Sequence, residues 1–233
     1  VPHTKVFREE RERPLVLLVD LRQNMFFGSR RLKSVAACEV AAALAWAGLN
    51  TGDRVGGLVF GPAEHRDVRA RRDRRSVLQL LHYLSAASIA LCARPPGNRH
   101  LSAILDDGRR VAHPGSTVAV ISDFHDLDTA CERHLFELAR HCDVTLYQIY
   151  DDLERELPPA GWYAIRGASG RIALNTAQTD QRAQFAAAFN ARRQHLQQLA
   201  ARLGLGLLDF ASDAPVLATL QQVYGKGRRC RPR

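Results

Sequence analysis

Long hydrophobic runs are missing from this chain: its apolar stretches stop well short of the ~20 residues that a membrane helix needs. No secretory leader is visible at its start, which reads Val1-Pro2-His3-Thr4-Lys5 without an initiator Met. The expectation is that the chain begins inside a longer gene product. Cysteine pairs are missing too. The five cysteines (Cys38, Cys92, Cys131, Cys142 and Cys230) are odd in number, scattered, and free of any C-x-x-C spacing. That excludes a disulfide framework and points to a reducing cytoplasm. Cys131-x-x-His134 with His141-Cys142 downstream has the composition of a zinc cluster, but the first pair falls on a predicted helix and no second pair has finger-like spacing. Gly-x-Gly-x-x-Gly, Gly-x-Ser-x-Gly and a Walker phosphate loop are all absent, so the common nucleotide and nucleophile signatures are excluded.

What is present is ordinary for a soluble α/β domain. The 233 residues suffice for one substantial core, with 46% hydrophobic and 24% charged residues. The net charge of +9 is concentrated in two places. Arg69, Arg71, Arg72, Arg74 and Arg75 against Asp73 form one; five cations in the tail, residues 226–233, form the other, and together they account for the whole excess. A diffuse nucleic-acid face is therefore excluded. The patches read either as a solubilised edge strand and a basic tail, or as docking points for an acidic partner or an anionic surface. No interleaved aromatics accompany them for base stacking, which argues against nucleic acid.

Two short apolar runs end on aspartate: Leu15 to Val19 into Asp20, and Thr117 to Ser122 into Asp123. Bounded by Pro14 and Pro114-Gly115, they read as buried strands of a parallel sheet. Ligands of open α/β sheets sit beyond the carboxyl ends of the strands, so both carboxylates lie at a candidate site. Seen alone, either one would more often cap the helix that follows it than serve as a ligand.

The spacing predicts helices over about Arg31–Ala47, Ser76–Ala87, Leu101–Val111, Thr129–His141, Thr179–Leu203 and Ala214–Tyr224. Further strands are expected over Arg54–Phe60, Asp143–Tyr150 and Leu207–Phe210. Glu64–Arg71 reads as a short edge strand, its arginines blunting edge-to-edge pairing. Trp162–Ile165 and Arg171–Leu174, within residues 151–178, read as a β-hairpin insertion. Such alternation implies right-handed crossovers in a mostly parallel sheet of about six strands, with helices on both faces and one antiparallel edge strand. One domain is expected over residues 15–225, with a lead-in over 1–14 and a basic tail from 226.

A strand ending in Asp, a short loop, an Ala-rich helix and a second Asp at the end of a later strand together resemble the von Willebrand factor A fold. The resemblance implies a metal-ion-dependent adhesion site, in which Asp-x-Ser-x-Ser, a Thr and a further Asp hold Mg²⁺ or Mn²⁺ for an acidic partner residue. The lead-in His3-Thr4-Lys5-Val6-Phe7-Arg8-Glu9-Glu10-Arg11-Glu12 and the segment Asp152-Leu153-Glu154-Arg155-Glu156-Leu157-Pro158 are similar to those of one branch of that fold. That branch is the MoxR-associated bacterial family also called domain-of-unknown-function family 58.

Residue by residue the motif is altered. Asp20 and Asp123 match the two aspartates, but Arg22 and Asn24 stand where the serines belong, and Arg99 stands near the place of the Thr. A retained metal could use only Asp20, Asn24 and Asp123. Arg22 and Arg99 cannot ligate a cation and would repel one at ~4 Å by roughly 1 to 4 kcal/mol per pair. The expectation is therefore a degenerate site, free of Mg²⁺ and Mn²⁺, with the Arg22 guanidinium between Asp20 and Asp123, neutralising both through bidentate hydrogen bonds.

His125, Asp126 and Asp128 beside Asp123 have acid–base potential, although a polar loop after a strand routinely carries such residues. The resemblance implies a non-catalytic adaptor that presents its sheet edge to a MoxR-type AAA+ ATPase and an acidic client surface, in assembly or activation of a complex. The alternatives are a binder of nucleic acid or an anionic surface through Arg69–Arg75 and the tail, and a metal hydrolase using Asp20 and Asp123.

Overall fold

The run from Leu15 forms the central strand β1 (Leu15–Asp20) in a computed structural model, which describes residues 13–61, 64–93, 99–167 and 170–225. The lead-in segment His3–Glu12 and the basic tail from 226 lie outside the described residues. After β1 come a single 3-10 turn (Gln23–Met25) and α1 (Lys33–Thr51), then β2 (Val55–Phe60), β3 (His65–Arg71), α2 (Arg74–Ala90) and α3 (Leu101–Val111). The second half runs β4 (Thr117–Ser122), α4 (Thr129–Ala139), β5 (Asp143–Tyr150), α5 (Asp152–Arg155), β6 (Trp162–Gly167), β7 (Gly170–Asn175), α6 (Thr179–Leu203), β8 (Gly206–Ala211) and α7 (Val216–Tyr224).

The six-stranded sheet has the order β3-β2-β1-β4-β5-β8, parallel throughout except for β3, which pairs antiparallel with β2. β6 and β7 form the separate hairpin, paired from Trp162 with Asn175 to Gly167 with Gly170. This is the α/β architecture expected. β1 connects outward to β2 on one side and lies beside β4 on the other. The switch point therefore falls between β1 and β4, whose ends carry Asp20 and Asp123.

Strand alternation sends odd and even residues to opposite faces. Leu17, Val19, Ile121 and Ile149 pack with α1, α2 and α7 through Ala37, Leu80 and Leu220. Leu18, Val120 and Leu146 pack on the other face with α3, α4 and α6 through Leu105, Leu135 and Leu199. The α3 contact is close: a Cβ at Gly108 would lie 2.3 Å from Leu18 Cδ1, so glycine sets the helix–strand spacing. Helix α1 runs one turn beyond its expected end and stops at Gly52, whose φ of 91° is the left-handed conformation that glycine adopts without strain.

One expectation about the basic cluster is corrected. Only Arg69 and Arg71 lie on the edge strand; Arg74 and Arg75 open α2, with Arg72 between. The cause is Asp73, whose side chain accepts the Ser76 N–H at 2.6 Å and caps that helix, ending the strand before it. Among the described residues no helix is long and apolar enough to cross a membrane.

Candidate functional site

Neither Asp20 nor Asp123 caps a helix. Each turns the chain just after its strand by accepting a backbone N–H two residues on: Arg22 N to Asp20 Oδ1 at 3.0 Å, and His125 N to Asp123 Oδ1 at 3.1 Å. Phe124, between Asp123 and His125, has φ 52°, a left-handed conformation costly for a bulky residue and, among the described residues, taken by no other non-glycine. Ser122 Oγ accepts the Phe124 N–H at 3.1 Å and donates to Asp20 Oδ2 at 2.7 Å, joining the two strand ends.

Arg22 is 8% exposed and spends all five of its N–H donors on this edge. Nε and Nη2 reach the two oxygens of Asp20 at 2.9 and 2.8 Å, and Nη1 and Nη2 reach those of Asp126 at 2.6 and 2.9 Å. The last donor, on Nη1, goes to the carbonyl of Arg99 at 2.9 Å. Burial opposes the guanidinium's charge, but the hydrogen bonds and charges of Asp126 and Asp20 outweigh it and raise its pKa. Asp126 also accepts the Leu101 N–H at 2.9 Å, placing its charge at the N-terminus of α3. Burial pushes the Asp126 carboxyl up, yet the Arg22 bonds and charge win and hold it below the usual carboxylate range.

This corrects the expected bridge. Arg22 joins Asp20 to Asp126, not to Asp123, because one guanidinium fork already holds Asp20 and the other points along the loop that carries Asp126. Arg99 is corrected as well: only its carbonyl enters the site, while its guanidinium lies beside His65 Nδ1, at 3.0 Å, and Asp107.

Asp123 has a different cation, one that motif reasoning missed. Lys33, 1% exposed at the first position of α1, places Nζ 2.8 Å from Asp123 Oδ2 and 2.6 Å from Glu154 Oε1. Burial works against that ammonium, but the charges of Asp123 and Glu154 raise its pKa above the ordinary lysine value. Asn24 Nδ2 donates to Asp123 Oδ1 at 2.7 Å. A signal for Lys33 did exist in the sequence. A lysine in the first turn of a helix, with no acidic residue there, opposes the helix dipole and so asks for a buried anion.

Glu154 in turn closes a capping box with Asp151, accepting its N–H at 3.0 Å. The fully buried Asp151 ties the β1 and β8 loops together, accepting from Ser29 N at 2.8 Å and Ser212 Oγ at 2.6 Å. Burial raises the Asp151 carboxyl, and these hydrogen bonds more than reverse it, leaving its pKa lowered. The segment around Glu154 thus supplies part of the site.

This donor set does not match that of a hard divalent cation. The Asp20 carboxylate already accepts four hydrogen bonds and that of Asp123 accepts three, and three of these come from the cationic side chains of Arg22 and Lys33. A metal would have to displace Arg22 and Lys33 from buried positions. Asn24 is in place, but it presents its amide nitrogen to Asp123. Elsewhere, Cys131 and His134 do share α4; among the described residues no group of three or more His, Cys, Asp or Glu side chains could hold a metal ion. His125 and Asp128 are exposed, and Asp128 caps α4 through Cys131 N at 2.7 Å.

Three solved structures are similar to this chain. An aerotolerance-related membrane protein from Bacteroides fragilis is 16% identical with a TM-score of 0.53, over 91% of this chain and 97% of that one. The conserved hypothetical protein BatB from Bacteroides thetaiotaomicron is 15% identical (TM-score 0.49, 82% and 98% covered). A von Willebrand factor type A protein from Catenulispora acidiphila is 15% identical (TM-score 0.44, 60% and 34% covered). At these identities the first likeness supports the shared fold and nothing finer. A search of curated proteins returns no match. The model of the family described as protein of unknown function DUF58 matches residues 1–195, and the chain belongs to that family.

Proposed function

We propose that this protein is a non-catalytic interaction module that offers the carboxyl edge of its sheet to a protein partner without a bound metal. The single observation that carries the reading is the cation-filled strand-end edge: Arg22 and Lys33 occupy, with their own charges, the ground between Asp20, Asp126, Asp123 and Glu154. An edge held rigid by internal ion pairs keeps one shape in the presence or absence of divalent ions, which suits recognition by shape and surface charge. The same ion pairs speak against catalysis. Each strand-end carboxylate is already paired with a buried cation, Asp20 with Arg22 and Asp123 with Lys33, which holds both in the ionised, ion-paired form rather than poised as a general base.

The family resemblance supplies the finer part of the proposal, a MoxR-type AAA+ ATPase as partner, with a client complex that the pair assembles or activates. The test is calorimetric titration of the MoxR-type ATPase from the same genome into this protein, with and without EDTA. Two variants accompany it: Phe26→Asp at the exposed loop after β1, and the doubly reversed Arg69→Glu, Arg71→Glu on the edge strand. The expected result is EDTA-insensitive binding, weakened at least tenfold by Phe26→Asp and unchanged by the β3 reversal. No binding, or binding that EDTA abolishes, or loss only on the β3 reversal, would overturn the reading.

A further inference from the structure

Beside the cation-filled edge, a narrow recess opens between the ends of β4 and β5 and helix α6, lined by Asp123, His125, Gln148, Glu154, Phe189 and Arg192 among others. It has room for a group of about water size. Its chemistry is unbalanced toward acceptors. Gln148 is 5% exposed, and its Oε1 is buried without a hydrogen-bond partner among the described residues. Asp209, its register neighbour on β8 outside the recess lining, is held by Arg193 through Oδ2, and only its buried Oδ1 has no partner among the described residues. Asp123 and Glu154 share the single ammonium of Lys33, so the wall they form keeps a net negative charge.

Gln148 occupies the sheet face on which Val120 and Leu146 are core, where an apolar residue would pack without loss. A buried carbonyl oxygen left unpaired is destabilising, so its presence at the mouth of a recess asks for a donor from outside. Among the described residues of this edge, five carboxylates (Asp20, Asp123, Asp126, Asp151 and Glu154) face two buried cations, although the chain as a whole is basic. An acidic partner residue, which a metal would recruit, is repelled by such an edge.

We propose that this recess receives the ε-ammonium of a lysine from the protein partner, donating to Gln148 Oε1 and to the carboxylate oxygens of Asp123 and Glu154. The ammonium is compact and carries three donors, whereas a guanidinium is too broad for the space. Tyr150 and Phe189, their ring centroids 5.7 Å apart, line the way in and offer apolar surface to the lysine methylenes. Exposed Arg192 also lines the recess, and its charge weakens the attraction for an ammonium. This inference rests on the edge being a partner surface, but its test needs no partner.

Nα-acetyl-lysine methylamide is titrated into the isotopically labelled protein, and the Gln148 side-chain amide and the backbone amides of His125 and Phe189 are followed by NMR, with Nα-acetyl-glutamate methylamide as the opposite-charge control. Saturable shifts at these positions with the lysine probe are expected, absent with the glutamate probe; in Gln148→Leu, where the His125 and Phe189 backbone amides report, the lysine probe should bind at least fivefold more weakly. Arg192→Glu, on the exposed face of α6, is expected to tighten the lysine probe at least threefold, and it keeps the test decisive should Gln148→Leu fail to fold. Equal shifts with both probes, no shift at all because water alone fills the recess, or no tightening in Arg192→Glu would overturn the inference. Partner binding without any lysine-probe binding would leave the interaction module standing and remove only this recess.

Discussion

Arg22 and Asp126, 104 residues apart in the chain, meet as a two-bond pair at 2.6 and 2.9 Å, and that pair fastens the β1 loop to the loop after β4. Because Asp126 also caps α3 through Leu101, one guanidinium fixes two strand ends and a helix start together.

Removal of that guanidinium leaves Asp20, 1% exposed, as an uncompensated buried charge. Arg22→Ala is expected to cost about 3–5 kcal/mol of stability. Arg22→Lys should recover only part of it, since an ammonium cannot make both bidentate pairs. Urea denaturation midpoints of the three proteins check this. A variant as stable as the parent would mean that Asp20 finds another partner.

The pH dependence follows from the shifted groups. Asp126 and Asp151 have pKa values lowered in the folded chain, so their contribution is complete above the unfolded value of about 4 and is lost as pH falls through the folded values. Lys33 is raised, so its contribution is complete below about 10.4 and is lost only as pH rises through the folded value. Stability against pH should therefore fall below about pH 4 and hold through the alkaline range up to the ordinary lysine pKa. Asp126→Asn should flatten the acid limb, measured as thermal midpoints across pH 2–10. An acid limb as steep as the parent's would show that Asp126 does not contribute to it.

Gly108→Ala tests the α3–β1 spacing. The new methyl would enter the space of Leu18 Cδ1 at 2.3 Å, and overpacking of this kind costs typically about 1–3 kcal/mol. Gly108→Ala combined with Leu18→Ala should recover part of the loss in denaturation experiments; additive losses would show that the two sites do not touch.

The sheet was legible because each strand carries its own local signal. An apolar run such as Val118 to Ile121 can be buried on both faces only in the middle of a parallel sheet, and alternation of strands with helices then fixes the crossovers. The edge strand was legible from its arginines, but its end was not. Whether Asp73 closes a strand or opens a helix depends on a single hydrogen bond to Ser76.

The sequence by itself determined that two buried strands end on aspartate and that an arginine stands where a metal-ligating serine would be, because both facts are local to one strand and its loop. Only the tertiary structure decided which carboxylate takes which cation. Lys33 meets Asp123 from 90 residues away, and Glu154 joins them from a one-turn helix beyond β5. Pairing between buried charges depends on where packed helices bring their side chains in three dimensions. No spacing along the chain encodes it, and the low dielectric of the buried edge then makes each pairing decisive.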